Sequence, residues 1–146
     1  CQLVASCDLA IASSNSKFAT PGVDIGLFCS TPMVALSRSV SSKDAMKMLL
    51  TAEMIDASEA KRISLINEYV EENELKQYVL SLADKISKKS ANVVKIGKKA
   101  FYKQLNMNLS DAYKYTSKIM SDNVLKEDAI EGINAFIEKR KPNWKE

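Results

Sequence analysis

The side chains able to move a proton or attack an electrophile are few in this chain, because its sequence contains no histidine. That absence removes imidazole general bases, Ser-His-Asp triads, Cys-His nucleophile pairs and His-ligated metals. Acid-base chemistry must come from carboxylates, Lys, Tyr or Cys. Cys1, Cys7 and Cys29 form no CxxC pair, so neither a disulfide framework nor a zinc site is suggested, and a reducing compartment fits best. Cys29 has no histidine or activating charge beside it in sequence and reads as a small core residue rather than a nucleophile. Two of the carboxylates lie in the first thirty residues: Asp24, in the stretch Pro21-Gly22-Val23-Asp24-Ile25-Gly26, and Asp8, directly after Cys7. If that stretch is locally extended, Asp24 shares a face with position 22; the alternative is a solvated or turn-capping residue. Asp8 reads as a structural acceptor of backbone hydrogen bonds.

The elements that must position these groups fall into two parts, a strand-and-loop region over residues 1–30 and a helical region over 31–146. Asp8 to Ala12 and Lys17 to Thr20 read as short extended segments around the turn sequence SSNS, a hairpin or strand pair. Gly22 and Gly26 bracket VDI after Pro21, which places an irregular, ligand-facing loop at residues 20–32. Thr31-Pro32 predicts a helix start with Thr31 as its cap. Ser41 to Asp44 and Asp56 to Glu59 predict two more helix starts. Ile66 to Val70 reads as a strand. Apolar stripes at Leu75-Tyr78-Val79-Leu82-Ile86, Val93-Ile96-Ala100-Phe101, Leu109-Ala112-Tyr113-Met120 and Ile130-Ile133-Phe136-Ile137 then give four amphipathic helices. Trp144, alone in a polar tail, is expected to pack on the chain's own surface, with a subunit interface as the alternative.

Composition sets outer bounds. The 146 residues are 46% hydrophobic and 27% charged, the balance of one globular domain, with no apolar run of spanning length. A formal net charge of +3 does not call for a nucleic acid or an anionic membrane as partner. Lys85, Lys88, Lys89, Lys95, Lys98, Lys99 and Lys103 form a basic run with only Phe101 and Tyr102 between them, which reads as a solvated helix face. Cys1 is not an initiator Met and the chain opens inside an apolar segment, so it reads as a fragment or a truncated gene product.

In order, CQLVASCD, KFATPGVDIGL, LTAEMIDASEAKRISLINEYV and EGINAFIEKRKPNW resemble the crotonase superfamily of enoyl-CoA hydratases and isomerases. The family's patterns are GGGCELAxxCD, FxxPExxLG, LTG, an I-x-A-x-EA stretch, GLV and EGxxAFxEKRKPxF, and the match spans essentially the whole chain. The resemblance implies an α/β crotonase-like fold, of which these residues are the C-terminal portion of a single domain: a few strands followed by about six helices. It also implies acyl-CoA as ligand or substrate, no separate cofactor or metal, and a homotrimer or hexamer. No membrane or nucleic-acid partner is expected. The features GV after Pro21, LFCSTP and FYKQ point to a mitochondrial branch of the family and its bacterial relatives, which would place a bacterial form in the cytoplasm.

The same resemblance locates the chemistry. The family stabilises an enolate between two backbone N–H donors. Both match positions outside these residues. The two acids of the hydratases match Gln2 and Gly22; Gln2 can hold a water but not take its proton, and Gly22 has no side chain. Two-glutamate hydration is therefore not expected, and Asp24 is the remaining candidate acid. Phe136 and Lys139 match positions that approach the adenine and phosphate end of CoA, against alternatives in which Phe136 extends its apolar stripe and Lys139 favours a helix C-terminus. Ala52 and Ser64 stand where the family has the glycines of LTG and GLV, so those turns either dispense with positive φ or tolerate strain.

Overall fold

The computed structural model describes residues 1–145, and its contacts divide the chain into two compact units meeting at Ser81 and Leu82.

The first unit begins with α1 (Gln2–Ser6), β1 (Ile11–Ser13) and β2 (Lys17–Phe18), followed by a 3₁₀ turn over Pro21–Ile25. Then come α2 (Pro32–Ser39), α3 (Ser42–Thr51), β3 (Ile55–Asp56), α4 (Ala57–Arg62) and β4 (Glu68–Val70), and α5 (Glu72–Ser87) crosses the division. β1 and β2 do not pair with each other, contrary to the hairpin expected. β1 runs parallel to β4, with Ala12 opposite Tyr69, and β2 runs antiparallel to β3, with Phe18 opposite Ile55. The SSNS turn does form, closed by Ser16 N–H to the Ser13 carbonyl at 3.0 Å. It is also held from outside, because Ser14 N–H donates to the Val70 carbonyl and Asn15 to Glu72, which carries the two strands to different partners. Asn67 completes the parallel pair by accepting from Ala10 N–H at 2.7 Å and donating its own N–H to the Ala10 carbonyl at 2.8 Å.

The cap signals resolve differently from one another. Ser41 and Asp56 accept the Asp44 and Glu59 N–H groups at 3.1 and 2.9 Å, as their spacing predicts, and each bond holds a helix start. Thr31 does not cap α2 with its side chain: its own backbone is already helical, so its hydroxyl is not aimed at the next turn, while Pro32 takes the first helical position. Leu36, fully buried, centres a core with Met48, Leu49, Ile63, Leu65 and Ile66, against which Val4, Phe18, Cys29 and Tyr69 pack. Burying a leucine of this kind is worth about 1.5–3 kcal/mol.

The turns at Ala52 and Ser64 keep the left-handed geometry without glycine, at φ 55° and 67°. Of the two readings, strain is the one realised, at about 1–2 kcal/mol for each L-residue.

The second unit consists of the end of α5, α6 (Ala91–Gln104), α7 (Leu109–Val124) and α8 (Glu127–Ile137). The apolar stripes predicted these helices. Ser90 and Asn108 cap α6 and α7, accepting Val93 and Asp111 N–H at 3.1 and 2.9 Å. Eight α-helices among the described residues compare with about six expected; α1, five residues long, is too short to show a period.

Candidate functional site

Gly22 lies in the 3₁₀ turn, whose first residue is Pro21, with its φ preset for a helical turn. Both backbone groups of Gly22 are engaged: its N–H donates to Cys29 Sγ at 3.3 Å, and its carbonyl accepts from Leu27 N–H at 2.9 Å. The chain therefore doubles back at Gly26, which reverses it at φ 75°, and an open groove of about 480 Å³ results. Its lining includes Gly22, Asp24, Ile25, Leu27, Phe28 and Cys29. The extended backbone invoked to bring Asp24 alongside position 22 is not what forms. In a 3₁₀ turn, residues two apart are about 240° apart around the axis, so Asp24 reaches the groove from a different side of the turn. It is exposed. Cys29 is half-buried against the core, as its reading as a small packing residue predicts.

Gln2 begins α1, exposed, and lies outside the lining of the Gly22 groove. Its carbonyl accepts the Ser6 hydroxyl at 2.8 Å, and α1 is fixed to the end of α2 by the Ser39 hydroxyl donating to the Ala5 carbonyl at 2.8 Å. Thr20, just ahead of the turn, is buried with no partner for its hydroxyl, a feature that a threonine between strand and loop does not announce in sequence.

In the second unit the terminal motif folds on itself. Glu131 receives Arg140 through two nitrogens, at 2.6 and 2.9 Å, and Asn143 N–H at 2.7 Å. These bonds hold the Glu131 carboxyl at a pKa of about 2. They turn the tail so that the Trp144 ring lies over Gly132, 3.2 Å from where a Cβ would be, and its indole N–H reaches the Lys88 carbonyl at 2.9 Å. Trp144 thus packs on its own chain. The same unit carries an open apolar groove of about 500 Å³, with Val93, Met120, Ile133, Phe136 and Trp144 in its lining. Phe136 is 84% exposed, so it is not buried within this unit; periodicity placed it on a face with Ile133 and Ile137, a face that the described residues of this unit leave largely open. Lys139 sits at φ 55° just past α8, where Arg140 N–H closes on the Ala135 carbonyl at 3.0 Å, the left-handed closure usually given to glycine.

Buried Asp128 ties these pieces together by accepting the Ser90 hydroxyl and Lys145 N–H, the former chiefly holding its carboxyl below the usual aspartate range. The link between residues 90 and 128 has no local sequence signal.

Over residues 1–146 the chain matches the model of the enoyl-CoA hydratase/isomerase family, and it belongs to that family. Its fold is crotonase-like α/β. The chain is 55% identical over 144 residues to the mouse (Mus musculus) enoyl-CoA hydratase domain-containing protein 3, mitochondrial, covering 99% of this chain and 48% of that protein. The crystal structure of the human protein of that name superposes with a TM-score of 0.95 at 53% identity, over 98% of this chain and 56% of that one. An enoyl-CoA hydratase of Mycobacterium smegmatis gives the same TM-score at 43% identity, over 98% and 56%. The chain spans about half the length of the curated relatives it matches.

Proposed function

We propose that the protein containing these residues binds acyl-CoA thioesters of fatty-acid metabolism at the Gly22 groove, and that any reaction there does not follow the two-glutamate route of water addition. The observation that carries this reading is the groove's make-up: Ile25, Leu27 and Phe28 offer apolar surface, and Asp24 is its one carboxylate. A cleft of this kind suits an acyl chain, while a single acid cannot divide water activation and carbon protonation between two carboxylates, as the two-glutamate route does. Gln2, outside the lining of the groove, is able to hold a water by hydrogen bonds, and Asp24 is the group left within the lining to handle a proton. Exposed Phe136 and the Lys139 cation suit an adenine ring and a phosphate. CoA is carried as part of the ligand, with no further cofactor. The assembly is a homotrimer or a hexamer, and its place is the mitochondrion, as in the names of its mammalian relatives; a bacterial form would be cytoplasmic.

A second reading, a non-catalytic acyl-CoA binding or regulatory homologue, is favoured by one observation: position 22 carries no side chain. Two measurements on the complete protein separate the readings. Acetyl-CoA binding by calorimetry supports both, and its absence removes both. Turnover of crotonyl-CoA, followed by enoyl absorbance, supports the enzyme. Asp24→Ala should then lower kcat about 100-fold or more, and turnover that survives this change refutes Asp24 as the acid.

A further inference from the structure

Glycine is required at positions 22 and 26 for opposite reasons. Gly26 has a left-handed φ of 75°, and a Cβ there would meet nothing within 4 Å, so its demand is conformational. Gly22 is not in the left-handed region, yet a Cβ there would stand 2.6 Å from the Leu27 carbonyl oxygen, 2.8 Å from Cys29 Sγ and 3.3 Å from Cys29 N. Its demand is for space. The obstruction is mostly backbone, which no rotamer change relieves, and it is anchored: Leu27 N–H bonds the Gly22 carbonyl, Cys29 packs on the core, and the Cys29 carbonyl accepts Met33 N–H at 2.9 Å at the start of α2.

We propose that Gly22 and the segment Leu27–Cys29 form a steric lock that closes position 22 to every side chain and sets the shape of the groove for a thioester ligand. The ligand half of this proposal rests on the acyl-CoA reading above; the lock itself does not. On that reading, the place that the resemblance gives to an acid is filled by a peptide carbonyl and a thiol, so the absence of an acid is built into the path of residues 22–29 and is not a point change that one substitution reverses. Cys29 is the positioning residue of the lock, since its sulfur is both the acceptor for Gly22 N–H and the nearest side-chain obstacle.

The test uses the complete protein and a double-mutant cycle. At a position without left-handed φ, replacing Gly by Ala ordinarily raises stability. Here Gly22→Ala should lower Tm by about 5 °C or more, the response of an overpacked site. In a Cys29→Gly background the same change should cost less, because the sulfur at 2.8 Å is gone, yet keep a substantial part of its cost, because the Leu27 carbonyl at 2.6 Å stays; a Cys7→Gly background should leave the cost unaltered. Acetyl-CoA affinity should fall about tenfold or more in Gly22→Ala. With Cys29→Gly added, only part of that loss should return, because the Leu27 carbonyl still obstructs the Cβ. A Tm unchanged or raised by Gly22→Ala, or a loss that Cys29→Gly does not relieve, overturns the lock. Affinity unchanged in a Gly22→Ala protein of lowered Tm overturns its link to the groove. A parent protein that binds no acetyl-CoA overturns the acyl-CoA reading, and the melting temperatures then decide the lock alone.

Discussion

Residues 1–81 and residues 82–145 are held by different forces. The first unit buries large side chains around Leu36, at 0% exposure, and its strands and helices converge on that cluster. In the second, the buried residues are Ala100, Ala112 and Ala135 with the polar pair Ser90 and Asp128, while Phe136, Ile137, Leu109 and Leu125 stand open. There the order comes from directed polar contacts: the caps of Ser90 and Asn108, the Asp128 junction, and the Glu131–Arg140 clasp. The contrast is between a half that buries large apolar side chains and a half whose buried set is small and joined by directed hydrogen bonds. The two halves should therefore fail under different insults.

The largest effect expected is at Leu36. Leu36→Ala should cost about 3–5 kcal/mol in denaturant unfolding of the complete protein, against no more than about 0.5 kcal/mol for Leu109→Ala, 74% exposed on α7. Equal losses would break the comparison, because they would mean that a partner covers α7. Next comes Ser90→Ala, which removes the α6 cap and the Asp128 contact together and should cost about 1–2 kcal/mol, with hydrogen exchange rising first at the start of α6. The tail gives a pH test. Glu131 is depressed to about 2 from an ordinary 4.5, so its contribution is full above about 4.5 and is lost as pH falls toward 2. The indole N–H resonance of Trp144 should report release of the tail across that window, and Arg140→Ala should move the midpoint upward. A midpoint that Arg140→Ala leaves in place would detach the clasp from the tail. The smallest effect is shared by both halves: Ala52→Gly and Ser64→Gly in one, and Lys139→Gly in the other, should each stabilise by about 0.5 kcal/mol, the relieved left-handed strain less the added freedom of the unfolded chain.

What could be read from sequence was what is local. The capping spacings at Ser41 and Asp56, the four amphipathic stripes and the family pattern are properties of neighbouring residues, and the structure has them. Asn108-x-x-Asp111 carried the same kind of signal as Ser41-x-x-Asp44 and could have been found by it. What escaped depends on distant partners. The strand after SSNS could not reveal that β1 would pair with residues beyond position 67. Pro21, which presets φ for a helical turn, is the local signal against an extended Asp24. An apolar stripe identifies the face of α8 without saying what lies against it. Gly22 is the sharpest case: its missing side chain is visible in the letters, but the carbonyl that occupies the vacancy belongs to a residue whose path only the folded loop defines.

The pairing of Ile11 with Glu68 bears on the order in which the molecule assembles. Residues 57 positions apart must meet before that ladder can exist, and such a meeting carries a closure entropy that helix turns never face. Nascent α6 and α7, which pack on each other as sequence neighbours, should gain protection early in refolding, whereas protection at Ala12 should arrive with the rate-limiting step.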